Sequence, residues 1–87
     1  MSHLFVRHTV ENYDTWKSAY DEDAVSRQSF GLKEIALHRG AENANDVTAV
    51  FELESLGRAQ EYVGSDDLKE KMMKAGVQGM PEIWFTD

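Results

Sequence analysis

Hydrophobic and polar positions alternate from His3 to Val10, yet neither side of the alternation is wholly polar. Leu4, Val6 and Val10 fall on one side of the strand this predicts, together with His8; Phe5 falls on the other, with His3, Arg7 and Thr9. From Tyr13 the period changes. Tyr13, Trp16, Tyr20, Ala24 and Arg27 recur at three- and four-residue steps, which predicts a helix to about Ser29, capped by Asn12 or Asp14 and closed by Gly31. Alternation returns over 32–39, with Ile35 and Leu37 on one face and Glu34, Ala36 and His38 on the other. A polar turn, Gly40 to Asn45, leads to a third strand over 46–54. Ser55 and Ser65 each precede a helical stretch, Leu56 to Val63 and then a stripe of Leu68, Met72 and Ala75 stopped by Gly76. Val77 to Pro81 reads as a loop, and Ile83-Trp84-Phe85 as a last short strand.

The order is β-α-β-β-α-β. Two right-handed β-α-β units sharing one antiparallel sheet give an α+β, ferredoxin-like domain over residues 1–87, with strand order 4-1-3-2 and the helices on one face. The strand positions best suited to lie beneath the helices are Leu4, Val6, Ile35, Leu37, Val47, Ala49, Phe51, Leu53, Ile83 and Phe85. The other face then carries Phe5, Arg7, Ala36, His38, Thr48, Val50, Glu52 and Trp84, with Arg7 and Glu52 close enough in this arrangement to pair. Such a half-apolar face is unusual for a monomer. Packing against a second copy would cover it, so a homodimer through Phe5, Arg7, His38, Val50, Glu52 and Trp84 is expected.

Composition narrows the function classes. Sixteen acidic against nine basic residues leave a charge of −7, and Lys69, Lys71 and Lys74 are interleaved with acids. Nucleic acid needs clustered cations, so it is not an expected partner. There is no cysteine to form a disulfide, a thiolate nucleophile or a cysteine metal site. No apolar run reaches membrane-spanning length and none resembles a signal peptide, so a cytoplasmic protein without membrane contact is expected. A zinc site from His3, His38 and Glu52 has no HxH or HExxH spacing behind it, and no phosphate-binding glycine loop is present.

The run Val6-Arg7-His8-Thr9-Val10, followed by Tyr13-Asp14-Thr15-Trp16-Lys17 and Tyr20-Asp21, resembles the start of small dimeric α+β barrel proteins. Ala75-Gly76-Val77 and Pro81-Glu82-Ile83 resemble their end. The likeness is to the antibiotic-biosynthesis-monooxygenase-like and cyclase-type members of that superfamily. It implies a dimeric α+β barrel, with a phenolic or polyketide-like ligand held between sheet and helices and no flavin, metal or other cofactor. The haem-degrading branch uses a histidine in its second half; this chain has none after His38.

His8 is the leading candidate for chemistry. It breaks an apolar strand face, and an imidazole with an ordinary pKa of about 6.5 suits a general base for a phenol or enol. The structural alternative is a core histidine bonded to a backbone carbonyl or to Tyr20. Tyr20 is the second catalytic candidate. Trp16, Tyr62 and Phe51 are candidate lining for a ligand pocket, and Arg39 or Arg27 could hold a carboxylate or enolate. Three classes stay open: a monooxygenase, cyclase or isomerase; a non-catalytic binder of a small hydrophobic ligand; and a dimeric accessory domain. A cavity of roughly 300 Å³ or more beside His8 favours the first two. A filled core with His8 bonded to backbone favours the third.

Overall fold

Eight elements form, in the order β1 (His3–Val10), α1 (Tyr13–Glu22), α2 (Ala24–Ser29), β2 (Leu32–Arg39), β3 (Asp46–Leu53), α3 (Leu56–Val63), α4 (Asp66–Lys74) and β4 (Val77–Thr86). They are seen in a computed structural model that describes residues 2–87. The strands make one antiparallel sheet in the order β2-β3-β1-β4, the ferredoxin-like order 4-1-3-2 read from the other edge. Leu4, Val6, Leu32, Ala49, Phe51 and Leu53 pack under Ala59 and Tyr62 of α3 and Leu68 of α4. A second cluster joins Val10 and Val47 to Trp16 of α1 and to Ala75. None of the described helices is long and apolar enough to cross a membrane.

Local chemistry accounts for the helix ends. Asn12, rather than Asp14, caps α1 by accepting from the Thr15 N–H at 3.0 Å. Ser55 and Ser65 cap α3 and α4 in the same way, through the N–H groups of Arg58 and Leu68. Gly31 and Gly76 follow α2 and α4 with φ of 78° and 88°, a conformation costly for any other residue.

Three features depart from the sequence reading. The helix expected to run from Tyr13 to Ser29 is broken at Asp23, whose backbone both ends α1 and begins α2. In β2 a bulge lies between Glu34 and Ala36, so Glu34 sits opposite Phe51 and Ala36 opposite Val50. Simple alternation put Glu34 on the outer face and Ile35 on the inner one. The extra residue instead turns Glu34 toward the helices and leaves Ile35 48% exposed. Finally, Val77 to Pro81 is strand, not loop. Val77 and Gln78 pair with Val10 and Thr9; the register then slips, and Glu82 pairs with Arg7. Gly79, at φ 67°, and Pro81 lie within the slip, opposite His8. They read as turn residues, but β4 is an edge strand, where a proline costs no ladder bond.

Two glycines give opposite predictions. Gly76→Ala forces a methyl-bearing residue to positive φ and is expected to cost about 1–2 kcal/mol. Gly57→Ala, in α3 with only Ser55 Oγ nearby at 3.9 Å, is expected to stabilise by about 0.5–1 kcal/mol. Urea unfolding with unchanged slope measures both; shifts of the same sign would contradict the assigned backbone geometry.

Candidate functional site

His8 projects from β1 into the space between sheet and helices. It is only 7% exposed, and both imidazole nitrogens are buried without a hydrogen-bond partner. They are the only buried side-chain nitrogen or oxygen atoms in that condition among the described residues. The bond to backbone or Tyr20 considered above is therefore not formed. The ring meets the Trp16 indole edge-on, with centroids 5.4 Å apart. Burial lowers the imidazole pKa below its usual value, against the opposing pull of Asp46. The ring is therefore neutral at pH 7, with one nitrogen able to accept and the other to donate.

The void beside His8 is a cavity of about 450 Å³. His8, Trp16, Tyr20, Phe51 and Tyr62 all line it. Trp16 stacks on Tyr20 at 4.8 Å, so an aromatic wall continues from His8 along α1. The Tyr20 hydroxyl donates to Glu34 Oε1 at 2.6 Å. Burial, then this bond to a carboxylate, raises the Tyr20 pKa strongly and keeps the phenol protonated. Tyr62 is set in the same manner, donating to Asp23 Oδ2 at 2.7 Å, and its pKa is raised by burial and by that bond.

Asp23 organises the helical layer at the cavity. One carboxylate oxygen takes the Tyr62 hydroxyl; the other takes Lys71 Nζ at 2.7 Å. Burial alone would raise the Asp23 pKa, but the hydrogen bonds from Lys71 and Tyr62 together outweigh it and hold the group below the usual carboxylate range. The break between α1 and α2 is thus fastened to both α3 and α4.

Arg39 is not part of this site. Its guanidinium stacks 3.8 Å from the Tyr13 ring and donates to the Ala44 carbonyl, at the turn between β2 and β3. Arg27 is the arginine at the cavity: it donates to the Tyr20 carbonyl at 2.7 Å and lies 3.6 Å from the centroid of the Tyr20 ring. The expected pairing of Arg7 with Glu52 is also replaced, by a two-bond contact between Arg7 and Asp46 at 3.1 and 2.8 Å.

Sequence reasoning missed Asp23, Glu34 and Lys71. Asp23 and Lys71 had a signal in helical spacing, being three residues beyond Tyr20 and Leu68 respectively. Glu34 had none, since only the bulge brings it inward. Among the described residues no three His, Asp or Glu side chains gather closely enough to hold a metal ion.

No protein-family profile matches the chain, and no curated protein matches it in sequence. Solved structures do. A protein of Bordetella bronchiseptica, provisionally named an antibiotic biosynthesis monooxygenase, superposes with TM-score 0.77 at 15% identity, covering 99% of this chain and 94% of that one. SnoaB of Streptomyces nogalater, described as a cofactor-independent oxygenase, gives 0.75 at 12% identity over 99% and 90%. A conserved protein of Methanosarcina mazei gives 0.72 at 16% identity over 98% and 89%. Likeness at such identities concerns the backbone, and there it agrees with the resemblance read from the sequence: the chain has the ferredoxin-like fold of the antibiotic-biosynthesis-monooxygenase proteins.

Proposed function

We propose that the protein is a cofactor-independent enzyme for a small, electron-rich aromatic or polyketide-like substrate, and that its chemistry begins with proton removal by His8. One observation carries this reading: a neutral, buried imidazole with neither nitrogen bonded, in the wall of a cavity of about 450 Å³. A buried polar group without a partner costs about 1–3 kcal/mol, and such groups mark places where a protein keeps bonding capacity for something else. A cavity of this volume also favours an enzyme or binder over an accessory domain.

The geometry supports the following first step. A phenol or enol lying against Trp16 gives its proton to a His8 nitrogen, which a turn of the ring brings to the cavity surface, since neither nitrogen has accessible surface at rest. The resulting anion is strongly electron-donating, and it is the common starting point of oxygenation, ring closure and double-bond migration. In the oxygenase version a methylene becomes a carbonyl. One atom of O2 enters the product and the other leaves as water with the two hydrogens, so the substrate loses the four electrons that O2 gains. SnoaB, which shares the fold, is described as a cofactor-independent oxygenase, and this favours that version. Tyr20 holds Arg27 and Trp16 against its ring, its hydroxyl being committed to Glu34.

The dimer belongs to the same proposal. On the outer sheet face Phe5 and Trp84 stack in parallel at 5.3 Å, and Trp84 is 42% exposed. Val50 is partly buried beside Phe5, while Arg7, His38 and Glu52 surround this apolar centre. That pattern supports packing of two identical faces.

Three outcomes test the reading. With an anthrone as substrate and O2 uptake or solvent-deuterium exchange as readout, His8→Ala is expected to lose at least about 100-fold in kcat. Tyr20→Phe is expected to lose less than about tenfold. Ligand binding without any turnover in the wild type would make the protein a binder instead. The wild-type rate should fall on acidification with a midpoint below 6.5, because the lowered His8 pKa keeps the base free above it; a midpoint above 6.5 contradicts the assignment. Light scattering should give a mass near twice the 9.9 kDa chain, and Trp84→Glu should reduce it to one chain. A wild-type monomer at micromolar concentration overturns the dimer.

A further inference from the structure

Arg27 is the other buried group whose bonding is incomplete. It is 8% exposed, yet no carboxylate lies within ion-pair distance of it among the described residues. Among the described residues its side-chain hydrogen bond to the Tyr20 carbonyl uses a single N–H of the five a guanidinium carries, and the Tyr62 hydroxyl is its other polar neighbour. The stack on Tyr20 covers one face of the group and uses no N–H. The carboxylates nearest in the sequence and fold are engaged elsewhere. Asp23, four residues earlier, gives its two oxygens to Tyr62 and Lys71; Glu34 takes the Tyr20 hydroxyl.

Buried charges in proteins are ordinarily paired, because removing an ion from water is costly. Since among the described residues the His8 nitrogens are the only fully buried side-chain nitrogen or oxygen atoms without partners, the remaining donors of Arg27 keep access to space around them. Arg27 lines the same cavity as His8. The two are joined by a continuous aromatic wall: Arg27 on Tyr20 at 3.6 Å, Tyr20 on Trp16 at 4.8 Å, Trp16 against His8 at 5.4 Å. Those three steps set an upper limit on the separation of the cation from the base.

We propose that Arg27 is a binding subsite for a carboxylate carried by the aromatic ligand, so that the ligand is an aryl acid anchored at Arg27 with its acidic O–H or C–H toward His8. This rests on the cavity being a ligand site, as argued above. A planar carboxylate is suited to the guanidinium fork, which offers it two parallel N–H bonds. The apolar ring then runs past the Tyr20 edge toward Trp16 and His8. Arg27 acts as an anchor and a specificity determinant, while proton transfer stays with His8.

The test uses 6-hydroxy-2-naphthoate, whose carboxylate and hydroxyl lie at opposite ends of the fused rings, and its neutral amide as probes, with titration calorimetry on the intact protein at low salt. The wild type is expected to bind the carboxylate at least about tenfold more tightly than the amide. Arg27→Gln should bring that ratio close to one while leaving the amide affinity within about threefold. Lys74→Gln, at the exposed rim of the cavity, should leave the ratio in place. If Arg27→Gln does not fold, Arg27→Lys carries the comparison: its ratio must fall below the wild-type value, since an ammonium cannot form the paired bonds. A wild-type ratio near one, an unchanged ratio in the Arg27 variants, or its loss in Lys74→Gln overturns the subsite. Binding of the amide without any preference overturns it alone; binding of neither probe overturns the cavity reading as well.

Discussion

An imidazole withdrawn from water without a partner is the constraint around which this small fold is arranged. β1, like β3, has a neighbouring strand on each side, and its inner face is otherwise fully apolar, with Leu4, Val6 and Val10 in the core. His8 interrupts that face and finds no bond there. A domain of this size has only a modest core to offset the desolvation. Protonation raises the cost. Because the folded pKa lies below the unfolded value near 6.5, the cost of burying His8 is smallest above that pH and grows as acid is added below it. A leucine would carry no such cost, which is the argument for the proposed use of the imidazole.

The neighbouring irregularities make physical sense in relation to that residue. The slip in β4 at Gly79 to Pro81 interrupts regular pairing on the side of β1 where His8 lies. The bulge in β2 turns Glu34 inward to take the Tyr20 hydroxyl, which fixes the ring that forms the next part of the wall. Asp23 breaks the first helical segment and ties the break to Tyr62 and Lys71, so the helices are held by polar contacts at the cavity where apolar packing is missing. A fully packed core would need none of these fastenings. Together they keep a void open between the sheet and its helices.

Much of the frame was legible in the sequence. The alternation in β1 and β3, the serine caps at Ser55 and Ser65 and the stops at Gly31 and Gly76 are local signals, and each operates as local chemistry says it should. His8, Trp16, Tyr20, Tyr62 and Phe51 meet at one cavity because each lies at a period-defined position on the inner side of its element. What was not legible depends on pairing between distant segments. Ile35 and Glu34 exchange faces through a bulge that alternation does not encode, and Pro81 is tolerated because β4 happens to be an edge. Arg39 and Arg27 could not be separated by residue type. One ends a strand beside Tyr13 and the other follows a helix break at the cavity, and only the tertiary arrangement decides between them.

The most direct test of the account is an NMR titration of the His8 ring with and without 6-hydroxy-2-naphthoate. The account predicts a titration midpoint below 6.5 in the free protein, with neutral-ring nitrogen shifts at pH 7, and a marked change of those shifts when the probe occupies the cavity. A midpoint at or above 6.5, or ring nitrogen shifts that do not respond to saturating probe, would show that His8 is already partnered and does not face the ligand.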